Sequence, residues 1–353
     1  MGGALWRKTE CVIYAQSAIR NWAFSNIFVK TAEIESQIKT LNQKGITEFC
    51  IHDSEIAKNK GKILNILKLF LQEAPEVFIS LYIEAEILDK EIIALASNLF
   101  ISFEIPLKCS QKGDKLLFDK KFYANKAILL NNAGLIFGFS LTYGLNSGDS
   151  LKNYLERLDF AVQQYPNHID FPQTEANIED TDLVAKVSGI FSAKDIRRAR
   201  DISFACRTFY SSGRAVSWFL SVLKPLKIYP SRFFEDFAEW QLCNNCDYKS
   251  GFIPENENHL SIEKMQLLFL EQKYEEKNCH QQTTAVQDIV RINGAFSRLV
   301  GDNQESTVET SYNPDDLFSE EVFDIIAFSE NVCMEHCKTK LFFNKGEPDY
   351  QIL

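Results

Sequence analysis

The stretch from Leu99 to Pro172 constrains the fold more than any other part of the sequence. In outline it reads strand, helix, strand, glycine-bearing turn, helix, strand, and its apolar runs are short and rich in Ile and Phe. The runs are separated by more residues than a tight hairpin spans, so parallel pairing through crossover helices is the economical arrangement. Repeated units of this kind predict an α/β layer or barrel.

The same βα rhythm runs through the preceding residues and stops near Glu175. Counted from a first short strand at residues 12–14, the pattern gives about six strands, fewer than the eight of a closed barrel. It predicts an incomplete TIM-type α/β barrel of about six parallel strands over residues 1–175. Helical patterns dominate afterwards and predict a mostly helical domain over residues 176–353, in which 302–316 is expected to be a long polar loop.

Charge and composition exclude some classes of function. The net charge of −10 over 353 residues argues against nonspecific binding of nucleic acid, which requires clustered Lys and Arg. No apolar run approaches the roughly 20 residues that span a bilayer, so no membrane partner is expected. The N-terminus has no convincing signal peptide, and the nine cysteines are mostly scattered. A reducing, cytoplasmic location is therefore expected.

Several segments together resemble the partial barrel of radical S-adenosylmethionine enzymes. The closest subgroup is the cobalamin-dependent one, which carries a C-terminal helical region. The resemblance is one of pattern and covers roughly residues 12 to 250. It is carried by ITEFCIHDSEI (46–56), LYIEAEILDKEIIALA (81–96), LFISFEIPLKC (99–109), GLIFGFSLTYGLNSGD (134–149), ARDISFACRTFYSSGRAVSWFL (199–220) and YPSRFFEDFAEW (229–240).

The resemblance implies a cofactor site at the ends of the strands. Glu104 stands where the family has a glutamate that contacts the amino group of the methionine part of S-adenosylmethionine, and Gly144, Leu145 and Gly148 stand for a family turn. A structural salt bridge of Glu104 to a Lys or Arg is the alternative. From the residues themselves, Ser140 and Asp53 are further cofactor-binding candidates. A core hydroxyl and a solvated loop residue are their respective alternatives.

The cluster-binding motif of the family is absent. Its members hold a four-iron cluster with cysteines spaced CxxxCxxC after the first strand, because thiolates are soft, anionic ligands for iron. Here Arg20, Phe24 and Ile27 fall near those positions, and none of them can ligate iron. The sequence also begins almost at the barrel, so the cobalamin domain of the subgroup is expected to be missing. Together these departures predict a degenerate member of the family.

Cysteine pairs in the C-terminal half suggest a different metal site. Cys243 and Cys246 have CxxC spacing, which brings two sulfurs onto one ion. Cys333 and Cys337, with His336 between them, could complete a zinc site or hold an iron–sulfur cluster. Unrelated cysteines in helical segments are the alternative.

Two interpretations of the function stay open at this point. In the first, the protein is noncatalytic and binds a protein partner or a small ligand in the barrel cleft, or acts as a regulator. In the second, it is a radical or other cofactor-dependent enzyme that uses S-adenosylmethionine and an atypical metal site. The first is favoured, because a fold without its metal ligands does not by itself supply the chemistry. No Ser-His-Asp arrangement, His-Glu-x-x-His helix or paired carboxylate marks a catalytic residue.

Overall fold

The computed structural model describes residues 10–16, 25–30, 34–112, 115–145, 148–175, 184–245 and 247–353. The chain divides into two compact units, Met1–Ile196 and Arg197–Leu353. The sequence pattern changes earlier, at residue 175, but the following segment still packs on the first unit: Lys186 N donates to Gly144 O. Within the described ranges, no helix is long and apolar enough to cross a membrane.

Helices and strands alternate along the first unit. The elements are β1 (Glu10–Gln16), β2 (Ser25–Lys30), α1 (Ile34–Gln43), β3 (Glu48–His52), α2 (Lys60–Glu73), β4 (Phe78–Tyr82), α3 (Lys90–Ala96), β5 (Phe100–Pro106), β6 (Ser110–Lys112), β7 (Lys115–Leu117), α4 (Lys120–Asn132), β8 (Ile136–Ser140), α5 (Leu151–Gln163), β9 (His168–Asp170) and α6 (Pro172–Glu175).

Short polar side chains begin several of these helices. Asp89, Asp119 and Ser150 each accept a hydrogen bond from a backbone N–H in the first turn of the helix that follows. Those N–H groups have no partner inside the helix, so a capping oxygen stabilises the start by about 1 kcal/mol. Local chemistry therefore explains where α3, α4 and α5 begin.

The main sheet of the first unit has the strand order β2-β1-β3-β4-β5-β8-β9. The five strands from β3 to β9 pair in parallel, which confirms an α/β architecture with crossover helices. Of the expected incomplete TIM-type barrel of about six parallel strands, the described residues form a parallel sheet of five strands, and a barrel is not confirmed. β1, the predicted first parallel strand, pairs antiparallel with both of its neighbours, and the sheet ends at β2 and β9 without closing.

The second region is mainly helical but also contains a small sheet. Its elements are α7 (Ala193–Cys206), a π-helical turn (Arg207–Ser212), α8 (Phe219–Leu226), α9 (Pro230–Asn244), 3-10 turns at Tyr248–Ser250 and Pro254–Asn256, α10 (His259–Glu276), a 3-10 turn at His280–Gln282, α11 (Thr283–Asp302), β10 (Ser306–Thr310), α12 (Pro314–Leu317), a 3-10 turn at Glu320–Phe323, α13 (Ile325–Asn331), β11 (Cys337–Asn344) and β12 (Glu347–Ile352).

Aromatic rings fill the core of this second unit. Phe209 lies at the centre, and its ring centroid is 4.8 Å from that of Phe233 and 5.0 Å from that of Phe237. The expected long loop over 302–316 is wrong: Ser306–Thr310 forms β10, which pairs antiparallel with β11. Its alternating polar sequence becomes a strand because a partner some 30 residues downstream supplies the ladder, a non-local effect.

Candidate functional site: the polar face of the parallel sheet

The two faces of the parallel sheet differ in chemistry. Successive residues of a strand point to opposite faces, and one set is apolar and fully buried, as Leu81, Phe103 and Phe139 illustrate. On this side the sheet packs against helices, with the Phe49 and Phe70 ring centroids 5.3 Å apart. The opposite set begins with the exposed Phe78, Phe100 and Ile136 and becomes polar towards the carboxyl ends of the strands. We call this polar part the polar face; it consists of Cys50, His52, Ser80, Tyr82, Ser102, Glu104, Gly138, Ser140, His168 and Asp170.

One row of the polar face runs straight across the strands. Tyr82 is paired with Glu104, Glu104 with Gly138, and Gly138 with His168. At the β3 end of the row the His52 ring stacks on Tyr82, with ring centroids 4.1 Å apart. The register therefore places two aromatic rings, a carboxylate and an imidazole in line.

Gly138 allows His168 to reach Glu104. A Cβ at position 138 would lie 2.2 Å from His168 Nε2 and 2.4 Å from Cδ2, closer than real Cβ contacts occur. The imidazole of β9 thus lies directly over the backbone of β8, and its Nε2 is 2.5 Å from Glu104 Oε1 on β5. A glycine inside a strand commonly marks such a close approach.

Asp170 adds a second carboxylate to this pair. Its Oδ2 is 3.7 Å from His168 Nε2, and one ligand atom from each of Glu104, His168 and Asp170 lies within 4.8 Å of the others. Exposure rises outward through the cluster: the Glu104 side chain is 15% exposed, that of His168 27% and that of Asp170 41%. The cluster is therefore sheltered but open to solvent on one side.

Glu104 is only partly satisfied by the protein. Its Oε1 accepts a long 3.4 Å hydrogen bond from Ser102 Oγ, whereas Oε2 is buried and has no hydrogen-bond partner among the described residues. Burial opposes ionisation, but the charge and hydrogen bond of His168, with Asp170 and Ser102, outweigh it and lower the pKa of Glu104. A buried carboxylate oxygen without a donor is costly unless something else meets it.

Three further titratable groups of the polar face, on His52, Cys50 and Tyr82, are neutral at pH 7. Burial lowers the pKa of His52 to about 4, against the opposing pull of Glu104 and Asp53. Burial also raises the pKa of Cys50 to about 11 and that of Tyr82 well above its usual value. The anionic character of the face is therefore concentrated at its carboxylates.

The predicted cofactor-binding residues occupy different places. Glu104 lies at the centre of the polar face, and its partner is His168 rather than the Lys or Arg considered as an alternative. Ser140 ends β8 on the same face, paired with Asp170. Asp53 is buried just after β3, where its Oδ1 accepts 2.8 Å hydrogen bonds from the backbone N–H groups of Glu55 and Ile56. That carboxylate shapes a turn.

In the glycine turn that resembles the family motif, a backbone N–H is bonded to a carboxylate of the same chain. Gly144 and Gly148 both have positive φ, +64° and +90°. Gly144 N donates to Asp149 Oδ2 at 2.8 Å, and Asp149 lies 3.5 Å from the buried guanidinium of Arg157. An internal carboxylate thus takes the position where the turn could have received an anion.

The predicted cysteine site is not assembled by the described residues. Cys243 and Cys333 are exposed and Cys337 is buried, and all three are free thiols. In the described part of the chain, the only group of three or more potential metal ligands is the cluster at Glu104. Cys246 lies outside the described residues, so the four-cysteine site stays a prediction.

The positions at which the family has its cluster cysteines are described only in part. Arg20 and Phe24 lie outside the described residues. The backbone at Ile27 is in β2 and pairs with Ile13 of β1. This described part of the segment is therefore a strand at the edge of the sheet.

Sequence reasoning missed His168, Asp170 and Gly138. A signal for the first two was present: His-Ile-Asp alternates polar, apolar, polar, which puts both polar side chains on one face of a strand. The contact of His168 with Glu104 depends on strand order across three strands and on Gly138 between them. That information is not local to any segment.

Comparisons with known proteins give little beyond this. No family model matches the chain, and a search of curated proteins finds no match. Among solved structures the chain is similar to TsrM, a radical S-adenosylmethionine methyltransferase from Kitasatospora setae, with cobalamin and a [4Fe-4S] cluster bound. Identity is 12% and the TM-score 0.33, and the match covers 46% of this chain and 33% of that one.

A second structure of TsrM, with tryptophan substrate and the analogue aza-SAM bound, gives the same TM-score and covers 34% of that chain. The chain thus spans about a third of the length of the proteins it matches. Similarity this distant carries no argument about cofactor or activity.

Proposed function

We propose that the protein binds a small molecule on the polar face, with the positive charge of the bound species held at Glu104. The observation that carries this is the buried Oε2 of Glu104, which has no donor among the described residues. A cation meeting that oxygen would supply the partner that it lacks among the described residues. The stacked rings of His52 and Tyr82 offer a flat, uncharged surface in the same row.

The resemblance in sequence supplies the probe. S-adenosylmethionine carries a cationic methionine part and a flat adenine, which fits a row with a carboxylate and an aromatic pair. In this proposal the protein has a radical-S-adenosylmethionine-like fold and serves as a binding protein. Binding of a protein partner in the cleft, the other expectation from the sequence, stays a prediction.

Calorimetric titration of S-adenosylmethionine and of adenosine into the wild type and Glu104→Gln tests the proposal. Because a charge-assisted hydrogen bond contributes about 1.5–3 kcal/mol, the variant should bind S-adenosylmethionine at least about tenfold more weakly. Adenosine, which lacks the cationic part, should bind both proteins alike. The exposed Glu76→Gln is the matched control.

Two results would remove the proposal. The first is a wild type that gives no heat with S-adenosylmethionine. The second is a Glu104→Gln variant that binds it as tightly as the wild type and the Glu76→Gln control.

A further inference from the structure

We infer that Glu104, His168 and Asp170 form a site for a divalent transition-metal ion on the polar face. The inference deepens the proposed function and rests on it, since the metal ion would be the positive charge that Glu104 holds. The donor set is one imidazole and two carboxylates. Imidazole suits zinc, iron, nickel and copper, while carboxylates also accept manganese.

The geometry of the three donors fits a common ion. Ligand atoms around a metal at about 2.1 Å lie roughly 3 Å apart. Here His168 Nε2 is 2.5 Å from Glu104 Oε1 and 3.7 Å from Asp170 Oδ2. All three residues are held on neighbouring or next-neighbouring strands. Because their backbones are fixed in this way, rotation of the side chains is enough to bring the three ligand atoms to the separations found around a metal ion.

Three features distinguish this cluster from an ordinary buried ion pair. Glu104 Oε2 is a buried oxygen with no hydrogen-bond partner among the described residues, and so is available as a ligand. A second carboxylate, Asp170, interacts with both Glu104 and His168, so the cluster places two carboxylates around one imidazole. Gly138 makes room for the imidazole, where a Cβ would be 2.2 Å from Nε2.

The ion would also have a path to its site. Exposure increases from Glu104 to Asp170, so the cluster opens towards solvent on the Asp170 side. Three protein ligands leave further coordination positions open, as in sites where a metal meets water or a small molecule. The small ligand expected on the polar face would then be one with oxygen or nitrogen donors able to occupy those positions.

Mn²⁺ is the probe, because its hard character avoids the thiolates of Cys243 and Cys333. Chelator-treated protein is titrated with Mn²⁺, and the loss of the free-ion electron paramagnetic resonance signal counts the bound ions. The wild type should bind about one ion per chain. His168→Gln and Asp170→Asn should each weaken binding by at least about 100-fold, more than loss of a mere supporting contact.

Gly138→Ala provides a test that keeps every ligand. The added Cβ would displace the imidazole, so Mn²⁺ affinity should fall as in His168→Gln. Gly189→Ala is the matched control, since a Cβ there meets nothing within 4 Å, and Glu76→Gln controls for loss of a carboxylate. Far-ultraviolet circular dichroism confirms that each variant folds, and Asp170, the most exposed ligand, is the variant least expected to disturb folding.

The outcomes separate the metal site from the proposed function. A wild type that leaves the Mn²⁺ signal unchanged, or folded ligand variants that bind like the controls, would overturn the metal site. If S-adenosylmethionine still binds in the presence of chelator and loses affinity in Glu104→Gln, the metal site falls while the proposed function stands. If Mn²⁺ binds as expected and no small molecule does, the metal site stands and the proposed function falls.

Discussion

Each unit of the molecule contains a sheltered histidine–carboxylate cluster, and the two differ in their source of positive charge. In the second unit Arg298 Nη1 donates to Glu263 and lies 2.9 Å from His259 Nδ1. Among the described residues of the first unit, the hydrogen-bond and ion-pair partners of Glu104 are His168, Asp170 and Ser102, and none of these is Lys or Arg. A permanently charged arginine neutralises the cluster of the second unit, whereas Glu104 in the first is paired with the imidazole of His168, which can give up its proton when a cation from outside binds.

The two clusters are otherwise built alike. A Cβ on Gly294 would lie 2.0 Å from Glu263 Oε2, just as one on Gly138 would lie 2.2 Å from His168 Nε2. In both, a glycine permits a polar side chain to lie against a neighbouring backbone. The similarity in construction makes the difference in charge informative, because Arg298 gives the second cluster a permanent cation and the described residues give the first none.

The largest effect is expected from removing that arginine. Arg298→Met leaves Glu263 buried without its cation and should lower the free energy of unfolding by about 3–5 kcal/mol. Urea unfolding of the whole chain measures it. Arg232→Met is the control, because its side chain is 55% exposed and its partners Glu235 and Asp236 keep Arg198 and Lys273 as cations; it should cost less than about 1 kcal/mol. If both variants lost the same free energy of unfolding, Arg298 would not be the special source of positive charge that the comparison of the two clusters requires.

Lowering the pH is expected to have a smaller effect on the free energy of unfolding. Burial, with Arg214 and Arg298 nearby, lowers the pKa of His259 to about 4, against weaker opposition from Gly213 O and Asp302. His259 therefore binds a proton near pH 6.5 in the unfolded chain, but only near pH 4 in the folded chain. The stability that neutral His259 contributes is full above pH 6.5 and is lost as pH falls towards 4, amounting to about 3 kcal/mol.

Urea unfolding at pH 7 and pH 4.5 measures this contribution. Glu263 is in the same cluster and its pKa is raised by burial, so the comparison must be made against His259→Gln, which keeps Glu263. The wild type should lose more stability than the variant between the two pH values. If the free energy of unfolding depended on pH identically in the wild type and in His259→Gln, His259 would not be held neutral in the folded chain.

The smallest effect is expected at Ser102. Its hydroxyl donates to Glu104 across 3.4 Å, a long and weak hydrogen bond. Ser102→Ala should therefore change the free energy of unfolding by less than about 0.5 kcal/mol. A loss comparable to that of Arg298→Met would mean that the first cluster is also closed by its own side chains.

The sequence predicts one half of the site and misses the other for a physical reason. Glu104 and Ser140 could be identified because strand periodicity and the family resemblance point to positions in long, clear strands. His168 and Asp170 lie in a strand of only three residues, β9. Their importance comes from a contact across Gly138, and strand order rather than local pattern decides that contact.

The direction of β1 could not be predicted from the sequence either, because it also depends on which strands pair in the folded chain. Val12 and its neighbours read as a strand, and they form one, but nothing in their pattern indicates that they pair antiparallel with β3. Likewise, the pairing of Ser306–Thr310 with β11 depends on a partner far along the chain. Elements follow from local propensity and caps, whereas pairing follows from the tertiary fold.

The most direct measurement is anomalous diffraction from crystals of the wild type soaked in Mn²⁺. The account predicts a peak between Glu104, His168 and Asp170, at coordination distance from Nε2 of His168, and no peak there in Glu104→Gln. An empty cluster in the wild type under conditions in which Mn²⁺ binds elsewhere on the chain would contradict the claim that this site takes its positive charge from outside.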